Sequence, residues 1–157
     1  MSTNHPHGQY IRDHACAPPA VCLVGRSNAG KTLLMEALIA ELKSRGYVVA
    51  AVKHCPHGHQ VDHPGKDSQR MQVAGADAVV MGSPDQTTII RQVVAEPALD
   101  NLLNLLGPGY DFVLVEGYKE SPASKIVILP EGETAPEDAD LSKLLATVVP
   151  DVGTDGV

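Results

Sequence analysis

Eight consecutive residues carry the clearest chemistry in this chain. Gly25, Arg26, Ser27, Asn28, Ala29, Gly30, Lys31 and Thr32 fit the pattern G-x-x-x-x-G-K-[ST]. Glycines let a backbone curl around phosphate without a Cβ in the way. A curled loop of this kind turns several N–H groups inward, and a helix that follows it adds its positive dipole end. Lys31 brings a full charge to the β- and γ-phosphates, and the Thr32 hydroxyl is placed to ligate Mg²⁺. The chemistry is that of a phosphate site for a purine nucleoside triphosphate.

Two further polar features accompany this loop. The apolar run 113–115 ends in Glu116, a carboxylate able to hold Mg²⁺ directly or through water. Residues 53–68 contain four histidines (His54, His57, His59 and His63), one cysteine (Cys55) and two aspartates (Asp62 and Asp67). That stretch has three readings. It is a transition-metal site, since imidazole and thiolate suit zinc or nickel. It is a switch loop over a triphosphate, with Lys53 and Lys66 facing the anion and Asp67 near Mg²⁺ or the attacking water. Or it is a solvated loop rich in histidine, because the spacing completes no standard zinc set. No arginine is evidently placed to act as a finger on the transferring phosphoryl group in cis; Arg26 or Arg70 of a second copy could reach across a dimer. Nor is there a clear N-K-x-D for guanine. Asp151, after the last candidate strand, could accept from the guanine N1 and N2 protons, or serve only as a turn residue.

These residues need a scaffold, and the apolar pattern supplies one. Residues 20–24 read as a buried strand running into the glycine loop. Leu33, Leu34, Ala37, Leu38 and Leu42 recur at helical spacing, and Gly46 is a stop signal, so a helix is expected from about Gly30 to Arg45. Further strands are expected at 47–52, 78–81, 112–115, 125–129 and 145–149. A short helix is expected at 67–74, and another at 97–106 with Pro97 in its first turn. Residues 87–94 read as an edge strand or a helix start, which periodicity does not decide, and 131–140 reads as an acidic, exposed excursion. Strands alternating with helices imply an α/β fold with a mostly parallel sheet covered on both faces. Ligands then sit at the carboxyl ends of strands, which is where Gly25, His54 and Glu116 fall.

Composition bounds the rest. The chain has 157 residues and a formal charge of −7. One domain over 20–157 is expected, after a loose N-terminal tail at 1–19. An acidic chain is a poor general partner for nucleic acid or an anionic membrane, and no apolar run is long enough to cross a bilayer. Three cysteines (Cys16, Cys22 and Cys55) form no CxxC, and the first residues lack a signal-peptide pattern, which points to a reducing, cytoplasmic setting.

Taken in order, four segments resemble the molybdopterin-guanine dinucleotide biosynthesis adaptor protein MobB family, which is a P-loop NTPase class. They are the loop 25–32, Lys53-His54 leading to residues 62–68, residues 74–76, and residues 115–119, with Lys125-Ile126 as a weaker fifth point. The resemblance covers about residues 21–128. It implies a GTP-binding accessory protein of molybdenum cofactor biosynthesis, assisting the MobA-like nucleotidyltransferase that joins GMP to molybdopterin. It further implies weak Mg²⁺-dependent GTP hydrolysis, a homodimer, and molybdopterin as a further partner. Carried onto matching positions, Ser27 to Thr32 form the phosphate loop. Lys53, Asp67 and Glu116 line the catalytic side, with Asp67 or Glu116 holding Mg²⁺ through water or orienting the nucleophile. The family usually has an aromatic residue where His59 stands and a proline where Ser124 stands, and the likeness fades from about Pro130. Two other activities suit the same motifs: a metal-insertion GTPase using the histidines of 54–63, and a small-molecule kinase or ligase. Tight stoichiometric Ni²⁺ or Zn²⁺ binding would mark the first, and fast turnover without guanine preference the second.

Overall fold

The computed structural model describes residues 18–58 and 67–150. They fall into two compact units. The larger comprises residues up to His54 together with those from Ala98 onward, and the smaller comprises residues 55–97.

The larger unit is built on five parallel strands. They are β1 (Ala20–Val24), β2 (Val49–Lys53), β5 (Phe112–Glu116), β6 (Ser124–Ile128) and β7 (Leu144–Val148), in the spatial order β2-β5-β1-β6-β7. β1 lies between β5 and β6, with Leu23 level with Glu116 and Val21 level with Ser124. Lys53, the last residue of β2, is level with Glu116 from the other side. The central strands are apolar on both faces because both are covered. Cys22, Val24, Val113, Val115 and Val127 belong to one core cluster, and Leu23, Leu114 and Ile128 to the other. Helix α1 (Lys31–Ser44) covers the second face through Met35, Leu34, Leu38 and Leu42. Helix α3 (Leu99–Leu106) covers the first through Leu99, Leu102, Leu103 and Leu106. The expected α/β architecture, with helices on both faces of a parallel sheet, is therefore present.

The differences from the sequence reading have local causes. Tyr47 is not in β2. Its N–H caps α1 by donating to Leu42 O at 3.1 Å, and its ring meets Phe112 edge-on at 5.1 Å. Pro97 lies outside α3, whose N-cap is Ala98 in an extended conformation. Residues 131–140 form no helix or strand, as the acidic, proline-containing run suggested.

In the smaller unit, helix α2 (Asp67–Val73) precedes β3 (Ala78–Gly82) and β4 (Thr87–Arg91). The ambiguous run 87–94 is thus a strand at its start. Among the described residues, β3 pairs with β4 alone, antiparallel, instead of joining the parallel sheet. Ser83 closes the turn: its hydroxyl accepts from Gln86 N at 3.0 Å, and its N–H donates to Gln86 O at 2.7 Å. Among the described residues, no helix is long and apolar enough to cross a membrane.

Candidate functional site

The buried strand β1 ends at Gly25 for a steric reason. A Cβ there would lie 2.7 Å from the backbone oxygen of Ile128, so the loop leaves the sheet pressed against the end of β6. The loop then turns, with Ala29 N donating to Arg26 O at 3.3 Å. Asn28 takes a positive φ of 62°, which asparagine tolerates better than most residues. Ala29 is buried in the cluster beneath α1. Gly30 caps the helix in a left-handed conformation without any side-chain cap bond, and the first turn of α1 carries no acidic residue. The helix start therefore keeps its positive end clear of negative side chains. Ser27 and Asn28 sit exposed on the same loop.

Lys31 folds back over this loop. Its ammonium donates to Gly25 O at 3.1 Å and to Arg26 O at 2.6 Å, which holds the charge at the loop itself. The Thr32 hydroxyl donates to Glu116 Oε2 at 2.8 Å. The other carboxylate oxygen of Glu116 lies 3.5 Å from the Lys53 ammonium, and the Glu116 side chain is only 13% exposed. The fold thus brings Lys31, Thr32, Lys53 and Glu116 together at the carboxyl ends of β1, β2 and β5. Lys53 is more than half exposed, so its ion pair adds little stability; its effect is to keep a cation beside the carboxylate. Backbone bonds set the frame, with His54 N donating to Glu116 O at 2.9 Å and Gly117 N to Leu23 O at 3.1 Å.

Of the other expected site residues, Asp67 opens α2 in the smaller unit, where its Oδ1 lies 3.3 Å from Arg70 Nη1. Asp151, His59, Asp62, His63 and Lys66 lie outside the described residues, as does most of the tail at 1–19. Among the described residues, no three histidine, cysteine, aspartate or glutamate side chains are close enough to hold a metal together.

Several neighbours of the site went unnoticed in the sequence. The Arg26 guanidinium reaches Glu133 at 3.5 Å, which places the acidic excursion beside the phosphate loop. Lys119 pairs with Asp138, and its carbonyl accepts from Asp140 N at 2.9 Å. The Lys119 hydrogen bond holds the Asp138 carboxyl below its usual range, and the Ser142 hydrogen bonds do the same for Asp140. The His54 ring lies 4.7 Å from that of Tyr118, tilted by 34°. The only hint of the ionic contacts was the density of acidic residues after Pro130, which does not name partners.

The fold and motif meet their counterparts among known proteins. The family model described as Molybdopterin guanine dinucleotide synthesis protein B (MobB) matches residues 20–151. The chain is similar to the molybdopterin-guanine dinucleotide biosynthesis adapter protein of Haemophilus influenzae, 38% identical over 119 residues, covering 75% of this chain and 67% of that protein. It is 32% identical over 140 residues to the Escherichia coli protein of the same description, covering 85% and 79%. The crystal structure of Bacillus subtilis MobB superposes with a TM-score of 0.64 at 30% identity, over 82% of this chain and 78% of that one.

Proposed function

The chain belongs to the MobB family, and from that premise we propose that it is an adapter of molybdopterin guanine dinucleotide biosynthesis that binds Mg²⁺–GTP and hydrolyses it slowly. The observation that carries the nucleotide half of this reading is the meeting of Thr32 Oγ1 and Glu116 Oε2 at 2.8 Å beside the Gly25-to-Thr32 loop. A hydroxyl and a carboxylate are hard oxygen donors, and they fit Mg²⁺ better than a softer metal. Thr32 and Glu116 would hold the ion, which would supply positive charge against the β- and γ-phosphates when bound.

The chain's own residues account for the remaining steps. Lys31 exchanges the carbonyls of Gly25 and Arg26 for phosphate oxygens, a stronger, charge-assisted bond. The loop N–H groups and the start of α1 donate to the remaining phosphate oxygens. Lys53 stands beside Glu116 and limits the build-up of negative charge there. Hydrolysis is slow on this reading, because positioning and Lys31 act without an evident arginine finger. Arg26, the arginine of the loop itself, is engaged by Glu133. Slow turnover suits a protein whose output is assistance to a partner. We take that partner to be the MobA-like guanylyltransferase that attaches GMP to molybdopterin, in the cytoplasm. A homodimer belongs to the same proposal, and its support is the apolar pair Val80 and Ile89, opposite one another on β3 and β4 and 64% and 49% exposed.

Calorimetric titration with GTP and with ATP, each with Mg²⁺, tests the reading on the wild type and on Lys31→Ala. GTP is expected to bind more tightly than ATP, and Lys31→Ala to lose about a hundredfold in affinity from its missing charged bonds. Preference for ATP counts against the adapter reading, and an unchanged Lys31→Ala counts against the site.

A further inference from the structure

β5 and β6 are parallel and flank β1, so the chain leaving Glu116 must cross over β1 to enter β6. Parallel strands are ordinarily joined by a dozen residues or more, including a helix that satisfies its own backbone. Here only residues 117–123 make the crossing, too few for a helix and its two connecting turns. The crossing lies on the face that α3 covers, where Tyr118 and Ala123 pack against the cluster containing Cys22 and Val24. Ser121 Oγ comes within 3.5 Å of Cys22 Sγ. One turn bond, Ser121 N to Tyr118 O at 3.0 Å, is internal. Other carbonyls of a non-helical segment pressed on an apolar face need donors from elsewhere.

Lys125 is that donor. It stands on β6 level with Cys22, on the same face as Val127, and its side chain is fully buried. A lysine on the dry face of a parallel strand is costly unless its ammonium is bonded. The ammonium donates to Ser121 O and to Ala123 O, the latter at 3.1 Å. The crossing begins at Gly117, directly after the carboxylate that meets Thr32, and Lys119 within it holds Asp138.

We propose that Lys125 is a positioning residue for the phosphate site: its buried ammonium ties the helix-free crossing 117–123 down onto β1 and so fixes the Glu116 carboxylate opposite Thr32. The consequence for Mg²⁺ rests on the nucleotide reading above, whereas the tie itself does not.

The experiment has two arms on the full chain, comparing wild type, Lys125→Met and Lys125→Arg. Hydrogen exchange of the nucleotide-free protein reads the tie. Lys125→Met is expected to speed exchange of the 117–123 segment about tenfold, given the strength of hydrogen bonds to charged groups, with α1 and β2 unchanged. Lys125→Arg, which keeps the charge, should exchange nearly as the wild type does. Titration with GTP in Mg²⁺ and in EDTA reads the positioning. Lys125→Met should lose most of the Mg²⁺ enhancement while its Mg²⁺-free affinity stays at the wild-type value. Should Lys125→Met not fold, Lys125→Gln, with N–H donors on a shorter chain, carries the same comparisons. Uniformly faster exchange, no change at 117–123, or an undiminished Mg²⁺ enhancement overturns the proposal. A wild type that binds no GTP removes the nucleotide reading and leaves the exchange arm to decide the tie.

Discussion

Replacing Gly117 with alanine should be among the most damaging single-methyl changes in the larger unit. Gly117 has φ of +101°, and an added Cβ would lie 2.6 Å from His54 Cβ and 3.2 Å from His54 Nδ1. Two costs combine. An L-residue held in that region of backbone space costs about 1–3 kcal/mol, and forcing extra volume into a packed site costs about 1–3 kcal/mol more. His54 cannot easily retreat, because its N–H is bonded to Glu116 O at 2.9 Å and its ring rests on Tyr118. The sum, about 2–6 kcal/mol, is a large share of ordinary domain stability. Urea denaturation should show a midpoint lower by about 1–2 M with an unchanged slope. Gly132→Ala is the control. Its φ is +79° but nothing lies within 4 Å of the added carbon, so it bears only the backbone cost of about 1–2 kcal/mol. If the two variants lose the same stability to within about 0.5 kcal/mol, the packing of His54 against Gly117 is not what the geometry implies.

Other expectations follow from the same structure. Burial pushes the Cys22 thiol above its usual range, so the Cys22 peptide should resist alkylation at neutral pH until the protein is unfolded; labelling of native protein at the denatured rate would contradict its burial. The same upward shift means that the neutral thiol is favoured in the native state, so its contribution is complete below the ordinary thiol pKa and declines as pH rises above it. Asp138 has its pKa lowered by Lys119, so the stability it adds is present above the ordinary carboxyl pKa and lost as pH falls through its folded value. The gap between wild type and Asp138→Asn in denaturation midpoint should therefore close in acid, and a gap that persists there would refute the ion pair's role. Lysine at both Val80 and Ile89 should convert the proposed dimer to a monomer in analytical ultracentrifugation without changing GTP affinity; an unchanged sedimentation coefficient would remove this face from the interface.

The exposed acidic excursion shows how an uninformative segment becomes part of a site. Residues 131–140 carry no periodicity, and nothing in their order names Arg26 or Lys119 as partners. Both contacts exist because β6 delivers the chain to the same sheet edge as β1 and β5. Each pair is largely exposed, so its energetic weight is small. Its structural effect is to gather the excursion near the phosphate loop and the start of the crossing.

Local chemistry alone determined much of this protein. The run from Ala20 to Val24, the glycine loop and the helix after it are legible because an apolar strand, a G-x-x-x-x-G-K-T turn and a 3.6-residue stripe each state their own geometry within a few residues. The meeting of Thr32 with Glu116 was also foreseeable, since Glu116 closes a parallel strand and Thr32 opens the helix that follows another, both at the carboxyl ends of the sheet. Pairing and proximity were left to the tertiary structure. β3 reads as well for a parallel sheet as for a hairpin, and its partner was settled by the turn at Ser83 and by β4. In sequence Lys125 is no more than the first residue of an expected strand, 125–129. Only the helix-free crossing above it explains why its charge is buried, because a hydrogen-bond acceptor brought by another part of the chain cannot be read from the residue that donates to it.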